Sequence, residues 1–117
     1  MNRVNGYRNI RVAKYIRLSR EDGDDRESES VENQRDIIDN YILGHEELIE
    51  AGEYVDDGYT GTNFNRPAFQ ELLDDIEMGY ISVVIVKDLS RLGRDYVSVG
   101  HYTDNYFPEH NVRFIAV

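Results

Sequence analysis

Two spacings of apolar residues alternate along the chain. Residues 12–19, VAKYIRLS, read as a first strand with Arg17 set inside it and Ser19 at its tip. The next stretch, EDGDDRESES at 21–30, is too polar to pack and predicts a mobile loop, with Ser30 placed to cap a helix. Val31, Ile37, Ile38, Tyr41 and Ile42 then recur at helical spacing, and Gly44 ends that run. GEYVDD at 52–57 is a short second strand, followed by a loop rich in Gly, Asn and Thr at 58–66. Pro67 suits a helix's first turn, and Phe69, Leu72, Leu73 and Ile76 line one face of it up to Gly79. ISVVIVK at 81–87 is β-branched and apolar on both faces, as a central parallel strand should be. DLSRLGRD at 88–95 leads into a third helix expected to run to Phe107 and stop at Pro108, before a last strand at 112–117.

This β-α-β-α-β-α-β order predicts an α/β fold: an open, mostly parallel sheet of about four strands with helices on both faces. With 117 residues it makes one domain, 1–117, without repeats or an inter-domain linker. In such sheets, sites gather in the loops beyond the C-terminal strand ends, here 17–20, 56–66 and 88–95. Those loops carry Ser19, Thr60, Arg66, Ser90, Arg91 and Arg94, and Arg17 reaches them from the first strand. Four arginines in one poorly hydrated crevice would repel one another, so they predict an anionic ligand. Guanidinium forks match phosphate oxygens in pairs. A hydroxyl among them could attack phosphorus while the arginines neutralise the transition state.

Composition narrows the classes. Aliphatic and aromatic residues make up 40% of the chain, enough to fold. The absence of cysteine excludes disulfides and thiolate metal sites. No apolar run approaches a membrane span and the N-terminus lacks a signal-peptide core, so the expected location is cytoplasmic. His45, His101 and His110 lie on or beyond helices, which disfavours a Ser-His-Asp hydrolase. The net charge of −10 is unevenly spread: residues 1–19 hold five basic and no acidic side chains, whereas 20–57 hold fifteen acidic and three basic. A polyanion could therefore approach only some faces.

The stretches YIRLS, TGTNFNRPAF and VKDLSRLGRD together resemble the catalytic domain of serine site-specific recombinases, the resolvase/invertase family, and most of all its large transposon-type members. The resemblance runs from about Val12 to Val117. It implies site-specific DNA recombination of the transposon or phage type, excision or integration, through cleavage, a 5′-phosphoserine intermediate, strand exchange and rejoining. Ser19 is then the nucleophile, and Arg17, Arg91 and Arg94 bind and activate the scissile phosphate. Arg66 matches the arginine before the second helix, and Tyr15, Gln34 and Thr60 match supporting positions. Smaller family members carry an aspartate immediately before the first arginine of the third loop, where this chain has Ser90. Asp88, two residues earlier, is a candidate substitute, and the proton-transfer group stays unassigned. No cofactor or metal is expected in this domain. The expected partners are DNA recombination sites and further copies of the protein, forming dimer and tetramer through a long C-terminal helix that this chain stops short of.

Two other readings remain open on the residues alone. One is a receiver-like phospho-accepting signalling domain, suggested by Asp56, Asp57 and Lys87, though Arg17 and Ser19 occupy the strand end where receivers need paired acids. The other is a catalytically inactive recombinase-like interaction module.

Overall fold

A computed structural model describes residues 10–18, 30–60 and 62–117; the loop expected at 21–30 falls outside these residues except for Ser30. Four strands, β1 (Ile10–Leu18), β2 (Leu48–Asp57), β3 (Val83–Val86) and β4 (Arg113–Ala116), form one sheet in the order β2-β1-β3-β4. All three pairings are parallel. Helix α1 (Val31–Leu43) follows β1, and α2 (Pro67–Glu77) follows β2. After β3 come α3 (Leu89–Leu92), α4 (Tyr96–Gly100), a π-helical stretch His101–Tyr106 and α5 (Phe107–Glu109).

The period-two alternation of β1 sorts the core into two layers. Val12 and Ile16 pack with Ile38 of α1, Val83 and Ile85. Ala13 and Tyr15 pack on the other face with Phe69, Leu72 and Ile76 of α2, and with Leu92, Val99 and Phe107. Because β1 leads to β2 on one side and β2 returns across β1 to β3 on the other, helices on opposite faces follow from the uniform hand of parallel crossovers. The order of winding reverses between the parallel neighbours β1 and β3. The crevice of a doubly wound sheet opens there, beyond Leu18 and Val86.

Local chemistry explains the helix starts. Ser30 accepts a hydrogen bond from Asn33 N at 2.9 Å and caps α1 as expected. Arg66 precedes Pro67 of α2 but provides no side-chain cap; the donors of that first turn are met from elsewhere, as described below. Among the described residues, no helix is long and apolar enough to cross a membrane.

Two elements differ from the sequence expectation. Strand β2 begins at Leu48, not Gly52, because buried Leu48 joins the α1 layer and the ladder to β1 continues to Ile10. Glutamates on the exposed side of this extension obscured it, as did a bulge that leaves Ala51 unmatched between the Val12–Glu50 and Ala13–Gly52 pairs. The third helix begins at Tyr96, after the expected link, but winds as a π-helix over His101–Tyr106, and the link itself carries the short helix α3. Helix α3 stops at Gly93, and Pro108 lies inside α5 instead of ending the helix. The turn into β4 comes at Asn111, which has a φ of 59°.

Candidate active site

Arg17 follows Tyr15 by two positions, and it has no exposed surface. Its guanidinium donates to three main-chain carbonyls: Nε to Arg91 O at 3.1 Å, Nη1 to Tyr59 O at 3.1 Å and Nη2 to Ser90 O at 2.6 Å. One side chain thus ties the end of β1 to both other loops. Arg91, 3% exposed, reciprocates by donating Nη1 to Arg17 O at 3.0 Å. Gln34 of α1 donates Nε2 to the same carbonyl at 3.1 Å. Two donors therefore hold the Arg17 carbonyl, two residues before Ser19. Ser19 itself lies outside the described residues and follows Leu18, where β1 ends.

These contacts correct one step of the sequence argument. Close arginines need compensation, but for the buried ones much of it comes from carbonyl dipoles rather than from a bound anion alone. Arg91 makes further contacts, with Nε and Nη2 donating to Ser90 Oγ at 3.3 and 3.1 Å. Ser90 Oγ in turn donates to Asp88 Oδ1 at 2.6 Å, and Ser90 N donates to the same oxygen at 3.0 Å. Asp88 Oδ1 lies 3.7 Å from Arg91 Nε. Burial pushes the Asp88 carboxyl up, but the Ser90 hydroxyl and the charges of Arg91 and Lys87 outweigh it and hold it below its ordinary value. Asp88 is thus an ionised acceptor that braces Arg91, directly and through Ser90.

Arg66 anchors a second network and is 1% exposed. Its Nε donates to Asn63 O at 3.0 Å, and its Nη1 donates to Leu92 O at 2.7 Å and to Tyr15 Oη at 3.1 Å. Tyr15 Oη donates to Asp56 Oδ2 at 2.8 Å. Burial, above all, and the Asp56 carboxylate raise the tyrosine's pKa despite the opposing Arg66 charge, so the phenol keeps its proton. Asp56 is 2% exposed and accepts from Ala68 N at 2.9 Å and Phe69 N at 3.0 Å. A carboxylate at the end of β2 thereby supplies the cap that Arg66 does not give α2. With its oxygens engaged in this way, Asp56 serves the helix rather than standing open as a phosphoryl acceptor.

The remaining candidates are peripheral. Thr60 Oγ1 accepts from Thr62 N at 3.1 Å and lies 3.0 Å from Thr62 Oγ1, a local turn contact. Arg94, on the same loop as Arg91, is exposed. Arg17, Arg91, Gln34, Ser90 and Asp88 therefore form one connected group, and Arg66 and Tyr15 form its neighbour. The capping role of Asp56 was not apparent from the sequence, because its helix partners lie 12 and 13 residues further on. Phe64 was also missed; only its place in the TGTNFNRPAF stretch hinted at it.

The family model for the N-terminal domain of resolvase matches residues 12–117. Among solved structures, the N-terminal catalytic domain of TP901-1 integrase is 28% identical, with a TM-score of 0.81, covering 91% of this chain and 75% of that one. A resolvase family site-specific recombinase from Streptococcus pneumoniae is 27% identical, with a TM-score of 0.73, covering 92% of this chain and 72% of that one. The catalytic domain of ISC1926 TnpA, an IS607-like serine recombinase, shares the fold at 23% identity and a TM-score of 0.77, covering 92% of this chain and 70% of that one.

Proposed function

Because this chain belongs to the resolvase family of serine recombinases, a family of DNA-cleaving and rejoining enzymes, we propose that it carries out transposon- or phage-type site-specific recombination with Ser19 as the nucleophile. In this reading Ser19 Oγ attacks the scissile phosphorus and loses its proton. A P–O bond to serine forms, the P–O bond to the 3′ oxygen breaks, and the departing 3′ oxygen takes up a proton. The 5′ phosphate stays on Ser19 until a 3′-hydroxyl, after strand exchange, attacks in the reverse sense. One phosphoester replaces another, so the chemistry requires no cofactor. Two duplexes present four strands with one serine per cut, which calls for four copies acting together on DNA.

Arg91 and Arg94 neutralise charge on the non-bridging oxygens in this scheme. Arg17 sets the loops, and Asp88 with Ser90 keeps the Arg91 fork in one orientation. The observation that carries the reading is the mutual grip of Arg17 and Arg91, whose hydrogen bond lands two residues before Ser19. A nicked duplex containing the recombination site, incubated with the full-length protein, tests it. A covalent protein–DNA adduct that Ser19→Ala does not form is expected. An adduct that persists in the variant removes Ser19 as nucleophile, and a wild-type protein that forms none favours an inactive interaction module.

A further inference from the structure

Outside the hydrogen-bonded site, one side chain bridges the Arg66 network and the third loop. Phe64 sits in the loop between β2 and α2, where its carbonyl accepts from Arg66 N at 3.0 Å and Gln70 Nε2 at 3.1 Å. With its backbone held there, its half-buried ring packs against the α2-side core. The Arg66 guanidinium carbon lies 4.3 Å from the centre of this ring and 5.7 Å from that of Phe69. Arg66 Nη2 is buried and finds no hydrogen-bond acceptor among the described residues. Aromatic faces therefore compensate part of this cation where oxygen atoms do not.

The tip of the ring meets the third loop. A Cβ added at Gly93 would come 2.7 Å from Phe64 Cζ, closer than nonbonded carbons approach, and 3.2 Å from Val99 Cγ2. Gly93 is extended, with φ of 174°, so the close approach rather than backbone conformation requires glycine there. Gly93 lies between Arg91 and Arg94, and the neighbouring Leu92 carbonyl is the one that Arg66 Nη1 holds. Phe69 and Tyr102 close the aromatic cluster, with ring centres 5.1 and 4.7 Å from that of Phe64. Tyr102 comes from the π-helical stretch. The wider π turn brings positions four and five apart onto one side, so Tyr102 can cover Phe64 while Phe107 stays fully buried.

We propose that Phe64 is a positioning residue for DNA cleavage: held under Arg66 and against Gly93, it sets the height of the loop that presents Arg91 and Arg94. This rests on the proposed recombinase chemistry. Phe64 does not touch the reacting phosphate; it acts through Arg66, the Leu92 carbonyl and the Gly93 backbone. Catalytic geometry is sensitive to displacements of about 1 Å, which can cost ~10²-fold in rate.

Three variants of the full-length protein test the proposal: Phe64→Leu, Gly93→Ala and the double substitution. Single-turnover cleavage of the nicked site is measured beside DNA affinity and thermal unfolding. Loss of the ring should slow cleavage ~10-fold at unchanged DNA affinity, as expected for the loss of a buried cation–aromatic contact. Gly93→Ala should slow it by ~10²-fold. The double variant should be faster than Gly93→Ala alone, because leucine has no atom at the Cζ position the new methyl would strike. Normal cleavage rates in folded Phe64→Leu and Gly93→Ala, or rate losses that simply multiply in the double variant, would overturn the proposal. Water exchange of the Arg66 Nε–H, followed by NMR without DNA, separates this inference from its parent. Faster exchange in Phe64→Leu supports the linkage and unchanged exchange refutes it. Absence of a Ser19 adduct in the wild type instead refutes the recombinase reading and the positioning role with it.

Discussion

Replacing Asp56 with alanine removes the acceptor for three donors: Tyr15 Oη at 2.8 Å, Ala68 N at 2.9 Å and Phe69 N at 3.0 Å. All lie in or beside a core where Asp56 is 2% exposed, so water cannot readily replace the carboxylate. Each hydrogen bond to a charged group contributes about 1.5–3 kcal/mol, and the contributions overlap because the donors share one carboxylate. The change also leaves the Arg66 cation without the anion it meets through Tyr15. A net loss of about 4 kcal/mol is expected, comparable to breaking a buried pair by removing one partner. For a domain of this size that corresponds to a fall in Tm of about 15–20 °C. Urea and thermal unfolding followed by circular dichroism measure both quantities. Asp57→Ala is the control, since Asp57 is exposed and the change should stay within about 0.5 kcal/mol. An Asp56→Ala loss below about 1.5 kcal/mol would refute the cap-and-brace reasoning.

Four further outcomes are expected. Ser19→Ala should abolish covalent adduct formation, read on denaturing gels, while shifting stability by no more than about 0.5 kcal/mol. Arg91→Lys should lose ~10²-fold in single-turnover cleavage, because an ammonium cannot bond the Arg17 carbonyl and Ser90 while also forking across two phosphate oxygens. Ser90→Ala should slow cleavage ~10-fold with little change in DNA affinity, and an unaltered rate would show that Asp88 braces Arg91 without it. Glu53 is held down at about 2 by its paired hydrogen bonds with Arg35, with Lys14 adding to this against the opposing effect of burial. A lowered carboxyl pKa stabilises the fold above the ordinary value and loses that contribution as pH falls. The wild type should therefore exceed Glu53→Gln by ~2 kcal/mol at pH 6, with the gap closing between about pH 4.5 and pH 2 in acid unfolding curves.

Features written in adjacent residues were legible in the sequence. The alternation of strand and helix periods predicted the parallel α/β sheet, Ser30 was readable as a cap, and loops at strand ends assembled Arg17, Ser90 and Arg91. Local spacing carries this information, because side-chain direction repeats every two residues in strands and every 3.6 in helices. Partnerships across the sheet were not legible. Asp56 caps a helix that begins eleven residues later, Leu48 extends a strand through a stretch of glutamates, and the third helix follows a short helical turn at Leu89–Leu92 and passes through a π turn. The sequence by itself placed Arg17 and Arg91 together at the end of β1. Only the tertiary structure decided how they are compensated, with Arg17 and Arg91 bonded to carbonyls of one another's loops and Arg66 bonded to carbonyls and set against aromatic rings. Those carbonyls are present at every residue, and folding alone selects which of them a buried guanidinium reaches.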